Sequence, residues 1–85
     1  MKYVGIDVHK KMCQAAVLDE DGEPLDEMRF TNTDQGIEEF ALKLTTFRDD
    51  VRAVVESTGN LWIQVHDRLE KHGFTVALSN PGKTR

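Results

Sequence analysis

The fold class is decided by residues 51–60, which read VRAVVESTGN. Residues 51–55 form an apolar run interrupted only by Arg52, a composition typical of a strand buried on both faces of a sheet. Apolar residues at helical spacing lie on either side of this run, and they are Ile37, Phe40, Ala41, Leu44 and Phe47 before it and Leu61, Trp62, Val65 and Leu69 after it. Because a strand flanked by helices needs crossover connections, we expect parallel strand pairing there.

The N-terminal part of the chain has the patterns of strands instead. Residues 2–8 and 12–18 are separated by a short turn, and residues 23–30 follow a polar Asp-Gly turn. Pro24 has no backbone N–H to donate, which places the third strand at an edge of the sheet. With a last strand at residues 74–78, the predicted order is β-β-β-α-β-α-β. We therefore expect a single α/β domain in which helices pack on a mixed sheet.

The helix ends carry capping signals. At the start of the first helix, Thr33 alone or Asn32 together with Gln35 can satisfy free backbone N–H groups. Gly73 is expected to end the second helix as its C′ residue. Residues 57–59, Ser-Thr-Gly, are expected to form a tight turn and an N-cap before that helix, although such a segment can also bind an anion. It lacks the lysine and glycine spacing of a P-loop, so we do not expect ATP binding of that kind.

Composition and charge exclude several classes of protein. The chain has 85 residues, 39% of them hydrophobic and 31% charged, and no apolar run approaches the roughly 20 residues of a membrane helix. The single cysteine, Cys13, excludes an internal disulfide and a cysteine-based zinc site, and we expect a cytoplasmic protein. The net charge of −4 argues against a domain that holds nucleic acid by phosphate neutralisation alone. It still permits metal-dependent chemistry on nucleic acids, because carboxylates hold divalent ions.

Two carboxylates are candidates for such a metal site. Asp7 lies near the end of the first predicted strand, and Glu56 ends the apolar run at residues 51–55. If these two strands are parallel neighbours, both acids lie at the carboxyl edge of the sheet, where open α/β sheets place their sites. Two such oxygen ligands favour Mg²⁺ or Mn²⁺, which supports phosphodiester chemistry. The alternative is that both acids are merely solvated.

The remaining chemically active side chains are weaker candidates. His9 is expected on the strand face opposite Asp7, as a turn residue rather than a ligand, and His66 and His72 are expected to be exposed on the second helix. We interpret Cys13 as a small core residue and Trp62 as a core residue rather than a base-stacking platform. The short basic pairs at residues 10–11 and 83–85 can contact phosphates, but pairs of this length are usually solvated surface.

At this point two motifs together resemble a known family. GIDVHK at residues 5–10 and VVESTG at residues 54–59 are similar to the start of the DEDD-type insertion-sequence transposases, which are related to Piv-type DNA invertases. The closing residues 79–85, SNPGKTR, also resemble that family, so the resemblance covers essentially the whole chain. It implies a RuvC-like, RNase H-like fold, whose first strand lies beside the fourth.

The resemblance also implies site residues, a cofactor and partners. Asp7 and Glu56 match the first two acids of a four-carboxylate site that binds Mg²⁺ or Mn²⁺ and cuts and joins DNA strands. The family's other two acids lie in a downstream D-x-x-D segment, and no Asp or Glu follows Glu70 here. Residues 1–85 are therefore expected to be part of an RNase H-like catalytic domain, a truncated N-terminal piece that is inactive alone. The resemblance allows a guide RNA as a further partner, and a second copy of the chain is another candidate. No membrane partner is expected.

Two alternatives from other classes remain open. The same element order with an early Asp occurs in actin-like and sugar-kinase ATPases, but those proteins have glycines soon after that Asp, whereas Val8, His9 and Lys10 follow it here. The other alternative is a non-catalytic interaction module. A truncated domain is also expected to expose apolar surface, which self-association would cover.

Overall fold

The computed structural model describes residues 1–47, 50–57 and 59–79. Its elements follow one another in the predicted order, and the bounds of the strands differ from the predicted ones by at most two residues. They are β1 (Lys2–Val8), β2 (Met12–Leu18), β3 (Pro24–Thr31), α1 (Asp34–Leu44), β4 (Val51–Ser57), α2 (Trp62–Lys71) and β5 (Thr75–Ser79). No helix in these ranges is long and apolar enough to cross a membrane.

The strands form one mixed five-stranded sheet in the order β3-β2-β1-β4-β5. β1 pairs antiparallel with β2, which pairs antiparallel with β3, while β1, β4 and β5 are parallel neighbours. The predicted meander and parallel crossovers are both confirmed. Pro24 is the first residue of the edge strand β3, a position that tolerates a residue without an N–H donor.

Both helices pack against the same face of this sheet. Arg68 of α2 donates to Glu38 of α1 over 3.0 Å, and buried residues of both helices share one core with alternate strand residues. The buried side chains are Val4, Ile6, Val8, Cys13, Ala15, Val17, Phe30, Ile37, Phe40, Ala41, Leu44, Val51, Ala53, Val55, Val65 and Leu69. Burial of these side chains is the main force that holds the fold together.

The opposite face of the sheet carries no helix in the described part of the chain, and we call it the open face. It presents the other alternate residues of each strand, such as Tyr3, Gly5 and Asp7 of β1. The prediction that β4 is buried on both faces is therefore wrong, because Val54 is 40% exposed on the open face. The expectation of exposed apolar surface is confirmed by Val54 and by Tyr3, which is also 40% exposed; its cover by self-association stays a prediction.

Capping decides where α1 begins. Thr33 is its N-cap, and its hydroxyl accepts from the Gly36 N–H over 3.0 Å, which confirms one of the two predicted caps. Asn32 has another role, because its amide donates to the His9 carbonyl over 2.9 Å. The helix ends at Leu44, so Phe47 is not a helix residue as predicted; it packs half-buried against the core just beyond the helix.

α2 ends in the predicted way. Gly73 has φ +90°, and its N–H donates to the Glu70 carbonyl over 2.9 Å, while the Phe74 N–H reaches the Leu69 carbonyl over 3.1 Å. These two hydrogen bonds form a Schellman motif, which needs a residue that tolerates the left-handed conformation at C′. The start of α2 differs from the prediction: Leu61 is its N-cap and makes no side-chain capping hydrogen bond.

Candidate functional site

Asp7 and Glu56 are direct register partners on the adjacent parallel strands β1 and β4. Neighbouring strands lie about 4.8 Å apart, so the two backbones hold these acids one strand spacing from each other. Both residues are exposed on the open face, close to the carboxyl ends of their strands. The predicted juxtaposition is confirmed, whereas a role for these acids in metal binding or catalysis stays a prediction.

A depression of about 310 Å³ lies beside the two acids. Gly5, Ile6, Asp7, Val54 and Glu56 line it. Gly5 contributes no side chain to its floor, and no atom lies within 4 Å of the position that a Cβ would occupy there. The acids therefore face open space large enough for a cation and a substrate group rather than a packed interior.

His9 lies directly against this pair. Its Nε2 is 3.0 Å from Asp7 Oδ2, and both side chains are largely exposed. The prediction that His9 points to the opposite face is wrong, because residues two positions apart in an extended chain lie on the same face. The alternation itself could have identified this contact. As a donor, His9 would restrict the orientation of the Asp7 carboxylate.

Cys13 lies on the other side of the sheet, opposite Val8 in the β1–β2 pairing. Burial raises the pKa of its thiol, and the negative charge of Asp7 adds to that effect, while a backbone hydrogen bond at His9 acts in the opposite direction. The thiol is therefore neutral at ordinary pH and is a poor nucleophile. Its predicted place in the core is confirmed.

A second group of potential ligands lies on α2, away from the acid pair. One ligand atom each from His66, Asp67 and Glu70 lies within 4.8 Å of the others. Because α2 covers the other face of the sheet, this group is separate from Asp7 and Glu56. His66 is half-buried, with its ring edge against Trp62, so its predicted exposure is wrong. Trp62 packs partly against the core, as predicted.

His72 also differs from its predicted exposure. It is half-buried, and its Nε2 lies 3.0 Å from Glu38 Oε1, next to Arg68, which binds the same carboxylate. The hydrogen bonds from His72 and then Arg68 lower the pKa of Glu38. This cluster joins α1 to α2, and no pattern within either helix could have indicated it.

The other sequence-predicted contact residues are the lysines at 10–11, the segment 57–59 and the basic pair at 83–85. Lys10 and Lys11 are exposed in the β1–β2 turn. Of the segment 57–59, Thr58 lies outside the described residues, while Gly59 has φ +61° and forms a turn, as predicted. The predicted N-cap role of this segment is wrong, since Leu61 occupies that position. Residues 80–85, which include the basic pair at 83–85, lie outside the described residues.

The fold and the acid pair define a class of protein: a mixed α/β sheet with two carboxylates at the carboxyl edge of its central parallel strands. Solved structures share this fold. Pelota from Archaeoglobus fulgidus has a TM-score of 0.64 and 20% identity, over 92% of this chain and 26% of that one. A ROK family glucokinase from Streptomyces griseus, solved with glucose and AMPPNP, has a TM-score of 0.61 and 18% identity, over 94% and 33%.

A ROK family protein from Streptococcus pneumoniae, solved with sucrose, has a TM-score of 0.59 and 16% identity, over 94% of this chain and 34% of that one. The chain thus spans about a quarter to a third of the length of these structures. At such low identity the likeness shows the fold alone. No curated relative matches the sequence.

The family is given by the sequence itself. A transposase family, the DEDD transposases of IS110 elements, matches residues 4–85. The chain belongs to this family, as the motifs at residues 5–10 and 54–59 indicated.

Proposed function

We propose that this chain contributes Asp7 and Glu56 to the divalent-metal site of a transposase that cuts and joins DNA strands. The observation that carries the proposal is their register pairing on adjacent parallel strands, on a face that no described helix covers. Membership of a DEDD transposase family supports DNA as the substrate. An RNase H-like assignment of the sheet belongs to the same proposal, since in that fold the first strand lies beside the fourth, as β1 lies beside β4.

The donor set fits a hard divalent cation. Both side chains offer carboxylate oxygens, the ligands that Mg²⁺ and Mn²⁺ prefer, and both are exposed beside open space. Mg²⁺ keeps several waters and commonly uses one or two protein carboxylates together with substrate phosphate oxygens. When bound, such an ion activates a water or hydroxyl group and stabilises the leaving oxygen of a phosphodiester. The protein's own contribution is to hold the two carboxylates on strands that are rigidly paired.

Paramagnetic broadening by Mn²⁺ tests this assignment on the 85-residue chain. In ¹H–¹⁵N spectra, substoichiometric Mn²⁺ should broaden the amide signals of residues 5–8 and 54–56 before those of the rest of the chain. In Asp7→Asn and in Glu56→Gln, the same local broadening should need at least about tenfold more Mn²⁺, because each replacement removes one of two charged ligands. Both replacements keep the size of the side chain, and both sites are exposed, so the fold should persist.

The matched control is Glu70→Gln, which removes a carboxylate from the separate group on α2. It should leave the broadening at β1 and β4 unchanged. Broadening centred on residues 66–70 in the wild-type chain, and abolished by Glu70→Gln, would mean that the ion prefers α2 and would contradict the proposal. Equal local broadening in wild type and Asp7→Asn would likewise remove Asp7 from the site.

Nucleotide binding is the second candidate function, because a glucokinase structure solved with AMPPNP shares the fold. The residues after Asp7 disfavour it: Val8, His9 and Lys10 stand where close backbone approach to phosphates would need glycines. We expect that millimolar Mg²⁺ and ATP leave the melting temperature of the chain unchanged. A rise of several degrees that a non-hydrolysable ATP analogue reproduces would favour the kinase-like alternative.

A further inference from the structure

A row of polar side chains crosses the open face from the acid pair towards the edge of the sheet. Asp7 pairs with Gln14 of β2, and Gln14 pairs with Arg29 of β3. Gln14 and Arg29 are both exposed, and the pleat places them on the same face as Asp7. Strand spacing puts the Arg29 backbone about 10 Å from that of Asp7.

Three cationic side chains, those of Lys10, Lys11 and Arg29, lie at this end of the sheet. Lys10 and Lys11 occupy the β1–β2 turn, and neither they nor Arg29 make an ion pair with any described residue. Asn32 holds the turn in place through two hydrogen bonds of 2.9 Å. Its backbone N–H donates to the Lys11 carbonyl, and its side-chain Nδ2 donates to the His9 carbonyl. These hydrogen bonds therefore join the turn that carries the two lysines to the end of the strand that carries Arg29.

Asp7 and Glu56 are the carboxylates of this row itself, Glu27 lies in the next row of the open face, and Glu39 of α1 lines a depression with Arg29. Among the described residues, none of these carboxylates makes an ion pair with a lysine of the turn or with Arg29. Arg29 also lines a depression of about 130 Å³ together with His9, which contacts Asp7, and Gln14, which pairs with Asp7.

We propose that Gln14, Arg29 and the Lys10–Lys11 turn form a phosphate-contacting surface that positions the DNA strand held at the acid pair. This inference rests on the proposed function and adds to it the path of the strand across the open face. Guanidinium and ammonium groups bind phosphate oxygens, and an amide donates to them. The roughly 10 Å between the Asp7 and Arg29 backbones corresponds to about three steps of a DNA double helix at roughly 3.4 Å of rise per phosphate. Arg29 would thus hold a phosphate a few nucleotides from the one at the acid pair, as a positioning residue.

The test is the salt dependence of binding to a fluorescein-labelled single-stranded DNA of about 20 nucleotides, measured by anisotropy in EDTA. EDTA separates phosphate contacts from metal binding. For single strands, each phosphate contact contributes a slope of about −0.7 in log K against log salt, so a lost contact lowers the affinity about eightfold at 50 mM salt. Arg29→Gln and Lys10→Gln should each show this loss and a slope smaller by about 0.7. Lys71→Gln removes the same charge from α2 and should change neither quantity.

The variants concern exposed positions, and matching melting curves will show that they are folded. Wild-type binding that is absent even at 20 mM salt would overturn the inference, as would an Arg29→Gln protein that binds like Lys71→Gln. The Asp7→Asn variant separates failure of this inference from failure of the proposed metal site. It should bind DNA in EDTA at least as tightly as wild type, since it loses a negative charge, even though it no longer binds Mn²⁺ at β1.

Discussion

Among the glycines of the described residues, Gly36 in the first turn of α1 is the one where an added methyl group should lower the stability of the fold most. It is buried against the end of β3, where a Cβ would lie well within 3.0 Å of both Oγ1 and the carbonyl oxygen of Thr31. The Thr31 hydroxyl can rotate away from its contact with Thr33, but the carbonyl is part of the backbone and cannot. Gly36→Ala therefore forces α1 away from β3.

The expected loss follows from two opposing effects. Overpacking of a closed contact costs about 1–3 kcal/mol, and a clash with backbone belongs near the upper end of that range. Replacing a helical glycine by alanine returns up to about 1 kcal/mol. The net loss is about 2 kcal/mol, which lowers the melting temperature of a domain of this size by roughly 8–16 °C.

Thermal unfolding followed by circular dichroism measures this shift, with Gly5→Ala as the matched control. A Cβ at Gly5 meets no atom within 4 Å, so that variant should melt at or slightly above the wild-type temperature. If Gly36→Ala melts within about 2 °C of wild type while Gly5→Ala behaves as expected, the close approach of α1 to β3 is refuted.

Three further predictions concern the end of α2, the contact between α1 and α2, and the buried thiol of β2. Gly73→Ala should lower the free energy of unfolding in urea by about 1 kcal/mol, because φ +90° strains any residue with a Cβ; an unchanged midpoint would contradict the Schellman motif. His72 and Arg68 lower the folded-state pKa of Glu38 below its ordinary 4.5, so its contribution is present above that pH and is lost as the pH falls through the folded-state value. Glu38→Gln should thus destabilise at pH 7 and approach wild type in acid; a deficit independent of pH would contradict this linkage. Cys13 should react with a thiol reagent only as fast as the chain unfolds, and rapid labelling in native buffer would contradict its burial.

The acid pair could be predicted from the sequence because each acid marks a change of pattern. Asp7 interrupts an alternating apolar strand, and Glu56 ends an apolar run. The helix on either side of β4 indicates parallel pairing there. That β1 is the parallel neighbour of β4 does not follow from these patterns, and the family resemblance is what implies it.

The extent of helix cover could not be predicted in the same way. Val54 is apolar, and an apolar residue indicates which positions tolerate burial but not which face has a partner. It was therefore assigned to a buried face and is in fact exposed. The Glu38, Arg68 and His72 cluster is invisible for a related reason: its members lie 30 or more positions apart and meet only because α1 and α2 pack on the same side.

The covered face of the sheet is what gives the open face its geometry. Val4 and Ile6 of β1 pair with Ala53 and Val55 of β4, and all four are buried beneath the helices. A slip of β4 by one residue would expose Ala53 and Val55 and turn Glu56 towards the core, which would cost several buried methyl groups and bury a charge. The helices therefore enforce the pairing of Asp7 with Glu56 from the opposite side. A substitution in the core should consequently weaken metal binding on the open face only if it changes the register of β1 and β4. Its distance from the two acids should not determine the effect.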